Sequence, residues 1–130
     1  MSFTLTRDAW KNFKTQNNLS KSPWYSRADV GPTIDKFWAA RDIFLKAPGM
    51  ESLKKFFAAA TNLQKAFTKF VGLKEVKGEM TNTAKTQIET WKEQIDDVTK
   101  MLAIEAKRNE KQLLDADAKR LMESLKNSGL

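Results

Sequence analysis

With 130 residues, a formal net charge of +7 and neither Cys nor His, the chain can bury one core, and several chemistries are closed to it. Absence of Cys removes disulfides, thiolate nucleophiles and Cys-based zinc sites; absence of His removes the commonest general base and metal ligand. Twelve of the thirteen aromatic residues precede Glu79, and residues 81–130 balance nine acids against nine bases, so the whole net charge belongs to residues 1–80.

In chain order, Thr6 is placed to cap a first helix, with Leu5 and Trp10 spaced as a hydrophobic staple. That helix carries Trp10 and Phe13 and fades at Asn17-Asn18. Leu19 to Val30 has no helical period and reads as a long connection holding Trp24 and Tyr25. Gly31-Pro32 opens a second helix ending near Lys46, before Pro48-Gly49. A third runs from about Met50 to Val71, with Gly72 in the position of a C-terminal glycine cap. Lys74 to Glu79 reads as a charged connection, and Thr81-Asn82-Thr83 offers caps for a last helix.

No Gly or Pro interrupts that last segment before Gly129. It predicts one helix reaching Asn127, about 45 residues and about 65 Å long. Ile88, Trp91, Ile95, Val98 and Leu102 repeat at three and four, and a stutter at Ala106, Asn109 and Leu113 shifts the stripe onto Leu114, Ala118, Leu121 and Leu125. Met101 and Ile104 lie off the main stripe, which predicts contacts with more than one neighbour. The expected fold is all-α: three short amphipathic helices packed on one long C-terminal helix, a bundle with a coiled-coil-like extension. Residues 1–80 form its basic, aromatic-rich head and 81–130 its long helix, within a single domain.

The third helix has the clearest two-sided pattern. Leu53, Phe56, Ala60, Leu63, Phe67 and Phe70 share one side at ~100° per residue, and Lys54, Lys55, Lys65 and Lys69 share the other. A lysine stripe suits phosphates or an anionic membrane surface; it equally suits the solvated back of a core helix. Lys11, Lys14, Lys21 and Arg27 extend the basic surface beside Trp24 and Tyr25, on whose rings bases can stack. Arg41 falls amid Ile34, Phe37, Trp38, Phe44 and Leu45, and needs an anion, a partner, an acid of the long helix, or stacking over Trp38.

Glu89, Glu93, Asp96 and Asp97 have spacings open to a hard cation, but pairs such as Asp96 with Lys100 and Asp117 with Arg120 read more simply as a wet helix face. Asn109 interrupts the apolar stripe, either as a buried register-setting residue or at its boundary. Leu113, Leu114, Leu121 and Leu125 would lie exposed on an isolated straight helix, which predicts a protein partner for that half.

These features lead to a non-enzymatic structural or assembly subunit, a homo-oligomer or part of a larger protein assembly, with no cofactor. Its expected interface comprises Trp24, Tyr25, Asn109, Leu113, Leu114, Leu121 and Leu125. The alternatives are a sequence-nonspecific nucleic-acid binder using Lys54, Lys65, Lys69 and Arg41, and an amphipathic membrane-surface binder. The start of the chain lacks the charged region and apolar block of a secretory signal, and no run is long enough to span a bilayer. The expectation is a cytoplasmic protein or a component of a soluble particle.

Overall fold

The computed structural model describes residues 3–19, 29–109 and 112–130, with Glu79 described in its backbone alone. Among the described residues the regular structure is entirely helical: α1 (Arg7–Gln16), α2 (Gly31–Lys46), α3 (Met50–Val71), α4 (Lys74–Glu79), α5 (Asn82–Asn109) and α6 (Asp115–Asn127).

Local chemistry accounts for the starts of these helices. The Thr6 hydroxyl accepts the Ala9 N–H at 3.0 Å, and Leu5 and Trp10 are both buried beside that cap. Pro32 stands in the first turn of α2, and the Asp29 carboxylate accepts the Gly31 N–H at 2.9 Å. Thr81 caps α5 by accepting the Ala84 N–H at 3.1 Å.

The ends differ more from expectation. Gly72 closes α3 with φ −76°, in the right-handed region, so the left-handed glycine cap is not formed; its N–H bonds to the Thr68 carbonyl at 3.0 Å. Lys74–Glu79, expected as a connection, is the short helix α4, anchored by the buried Val76.

The largest correction concerns the long helix. α5 stops at Asn109, Leu114 is extended at φ −70° and ψ 143°, and α6 begins at Asp115. The buried Asn109 links the end of α5 to the start of α6: its Nδ2 donates to the Glu105 carbonyl at 2.9 Å, its Oδ1 accepts the Leu114 N–H at 3.4 Å, and its own carbonyl accepts the Gln112 N–H at 2.9 Å. These bonds satisfy groups that a helix end leaves orphaned. α6 then folds back, burying Leu121, Leu125 and Leu130. The straight coiled-coil-like extension is therefore absent from this structure.

α3 is the central element, packed on α2 along one side and α5 along the other. Its buried Phe56, Phe67 and Phe70 continue into a network of rings. Trp10 lies 5.3 Å from Phe70 and 6.1 Å from Trp91, both edge-on, and Phe13 lies 5.3 Å from Trp91. Edge-to-face pairs of this kind add to the burial of their area.

Residues 3–6 form a non-helical strap that ties α2, α5 and the end of α6 together. Gln94 accepts from the Thr4 N–H at 2.8 Å, the Trp91 indole donates to the Thr4 hydroxyl at 3.1 Å, and the Trp38 indole donates to the Leu5 carbonyl at 3.0 Å. The Phe3 N–H donates to the Ser128 carbonyl, and the Phe3 ring lies 5.2 Å from that of Phe37. Met101 packs partly buried against the core while Ile104 faces solvent, so α5 meets α3 on one side and the strap and α6 on another.

Candidate functional site

α3 presents a row of exposed lysines diluted by one acid, Glu51. Its apolar arc is consumed by the core, with Leu53, Phe56, Phe67 and Phe70 fully buried, and this pins the opposite arc outward. Lys54, Lys65 and Lys69 are all exposed on that arc. From Lys54 to Lys69 the axis rises about 22 Å, and small or polar residues, Ala58, Thr61 and Asn62, fill the space between. Among the described residues none of the three lysines has an ion-pair partner.

The acids nearest in register are occupied. Glu51 takes Lys55 at 3.3 Å, an exposed pair one turn apart. On the adjoining side of α5, Asp96 accepts Gln64 Nε2 at 2.9 Å and Lys92 Nζ at 2.9 Å. Asp96 thus pairs backward along the helix with Lys92 rather than forward with Lys100. Glu51 thus offsets Lys55 alone, and Lys54, Lys65 and Lys69 keep their charge unpaired among the described residues.

Arg41 is not part of this stripe. It lies on α2, its guanidinium carbon 5.4 Å from the centre of the Trp38 ring, with Nε donating to the Leu130 backbone oxygen at 3.0 Å, Nη2 donating to the same oxygen, and Nη1 paired with Asp42 at 2.7 Å. Its side chain is 26 % exposed. Stacking on Trp38 is the arrangement sequence proximity allows; the polar partner is the end of α6 rather than an acid of a long helix. Arg41 serves to hold the end of α6.

The residues assigned to a protein interface are dispersed differently. Trp24 and Tyr25 lie outside the described residues, as do Lys21 and Arg27. Asn109 is buried and accepts the Leu114 N–H ahead of α6. Leu113, Leu121 and Leu125 are buried inside this chain, whereas Leu114 is 59 % exposed. The exposure from which an interface was inferred thus exists only at Leu114.

The pair of Asp117 with Arg120 expected from the sequence is formed, but its extension by Glu105 into a charged clamp between α5 and α6 was not expected. Arg120 Nη2 reaches both carboxylate oxygens of Glu105, at 2.8 and 3.0 Å, and Asp117 Oδ1 at 2.8 Å. Glu105 and Asp117 are buried, so Asp117 is not part of a wet face. The hydrogen bond with Glu105 is the chief cause that raises the Arg120 pKa above its ordinary value; desolvation opposes it, and the charges of Glu105 and Asp117 add to it. An arginine with its pKa raised further stays charged at any pH near neutrality. The available signal was the position of Glu105 beside the stripe residue Ala106 and four residues before Asn109.

Among the described residues no group of three or more acidic side chains is arranged to hold a metal ion, and no helix is long and apolar enough to cross a membrane. No protein-family model matches the chain, and no curated protein or solved structure matches it. Its surface chemistry is the basis for a functional reading.

Proposed function

We propose that this protein is a non-enzymatic helical module that binds polyanionic backbones, nucleic acid foremost, through the outer face of α3. One observation carries the reading: Lys54, Lys65 and Lys69 stand exposed and without ion pairs among the described residues, on a helix whose other face is locked in the core. A row of ammonium groups on a fixed helix neutralises phosphates without choosing among bases, since Lys acts as a point charge and lacks the bidentate fork that reads base edges. The membrane alternative has less support, because the phenylalanines that would insert are mostly spent in the core.

The test is fluorescence anisotropy with labelled duplexes and single strands of unrelated sequence. Dissociation constants of ~10⁻⁴ to 10⁻⁶ M at physiological salt are expected, with little sequence dependence. For three phosphate contacts on a duplex, log K should fall with log salt at a slope of about −2.7. Replacing Lys54, Lys65 and Lys69 together by Glu should abolish binding while circular dichroism stays unchanged. Unaltered binding in the triple variant would remove the α3 face from consideration. Binding to anionic vesicles and not to nucleic acid would transfer the same face to a membrane role.

A further inference from the structure

We propose that the pocket formed by the end of α3, α4 and the first turns of α5 binds a small amphiphilic anion, a short aliphatic carboxylate. Its wall follows from the way the chain leaves α3. Gly72 closes that helix in the right-handed region, and the chain restarts at once as α4, Lys74–Glu79. Val76 is the one aliphatic side chain of α4, and it is 3 % exposed. Its burial fixes α4 against the end of α3, and the next residue, Lys77, thereby joins the lining of the pocket.

The pocket has a volume of about 230 Å³ and is lined by Val71, Val76, Lys77, Lys85, Ile88 and Glu89. Val76 and Ile88 are buried and Val71 is half-buried, so one wall is apolar. Lys77 is exposed and Lys85 half-buried. Among the described residues neither lysine takes part in an ion pair, and nor does Glu89. Two ammonium groups against one carboxylate leave the lining with one uncompensated positive charge.

A ligand that meets these features has an apolar body for the valines and the isoleucine and a single negative head for the lysines. The lysine stems can lie along the chain of such a ligand while their heads stay in water, so no bare charge has to be buried. The volume lies below the roughly 300–1,000 Å³ of pockets that enclose drug-sized ligands, which restricts the body to a short chain. Val71 follows Lys69 closely in sequence, yet none of Lys54, Lys65 and Lys69 lines the pocket. The site is therefore separate from the lysine row of α3.

The test is a titration of the full chain with hexanoate and octanoate, followed by calorimetry and by amide shifts in nuclear magnetic resonance. Saturable binding of octanoate is expected with a dissociation constant on the order of 1 mM or below, and with shift changes centred on residues 71–89. Octanoate should bind more tightly than hexanoate, by up to about fifteenfold for its two further methylenes. Replacing Lys77 and Lys85 together by Gln should weaken octanoate about tenfold, whereas Glu89→Gln should tighten it about two- to fivefold, because it removes a like charge. Val71→Phe fills the pocket and should abolish binding; the Gln variants change no apolar contact and decide the matter if that one misfolds. Octylammonium, with the same chain and the opposite head, should bind several-fold more weakly, and replacing Lys54, Lys65 and Lys69 by Gln should leave octanoate binding unchanged. No saturable binding, equal affinity for octylammonium, unchanged affinity in the double lysine variant, or shift changes confined to the lysine row of α3 would each overturn the proposal.

Discussion

The ring cluster joining α1, α3 and α5 and the seat of α6 are both contacts between amphipathic helices, yet they are built differently. In the first, Trp10, Phe13, Phe67, Phe70 and Trp91 interlock, each ring touching at least two others at centroid separations from 5.3 to 6.5 Å. In the second, Leu121 and Leu125 are assisted by a single guanidinium between two buried carboxylates. Interlocked rings cannot be removed singly without leaving a cavity lined by the others. A leucine contact closed by a charged clamp can separate and re-form as a unit. Resistance to unfolding is therefore expected to reside mainly in the aromatic half, and structural adaptability near the C-terminal end.

The largest effect expected from disrupting this contrast comes from Phe67→Ala. Removing a fully buried ring should cost about 3–5 kcal/mol in urea unfolding. A loss below about 1 kcal/mol, within reach of an ordinary surface change, would show that the cluster does not anchor the fold. Leu125→Ala should cost less, roughly 2–3 kcal/mol, because a seat near the end of the chain can collapse around the vacancy. Its signature should be local: α6 becomes sensitive to protease while tryptophan fluorescence from the ring cluster is retained. Simultaneous loss of both signals would show that the two regions unfold as one cooperative unit. The smallest effect belongs to Glu51→Gln, which removes an exposed partner of Lys55. Stability should change by less than about 0.5 kcal/mol, and polyanion binding should tighten because the α3 face loses its one diluting acid.

Much of the fold follows from short-range features of the sequence. The Thr6 cap, Pro32 at the start of α2, and the two arcs of α3 each place a helix within a few residues, and each depends on neighbours three or four positions away. The lysine stripe was legible for the same reason, since burying one arc of α3 necessarily exposes the other. The α5–α6 junction was not legible. A run of good helix formers without Gly or Pro specifies a straight helix, even across a stutter in its apolar stripe, unless something distant rewards bending, and that reward comes from Arg41, the strap at residues 3–6 and the burial of Leu125. Asp117 looked like a surface charge because its burial depends on where α6 lies.

By itself the sequence determined the helical class, the position of α3 with its opposed apolar and lysine faces, and the confinement of net charge to residues 1–80. Only the tertiary structure decided that the C-terminal segment divides into α5 and α6, that Leu113, Leu121 and Leu125 are buried within the chain, and that Arg41 holds the Leu130 oxygen. The physical reason is one of range. Periodicity and caps are set by residues within one or two turns, whereas a bend in favourable helix sequence is set by contacts such as Arg41 to Leu130, between residues far apart in the chain.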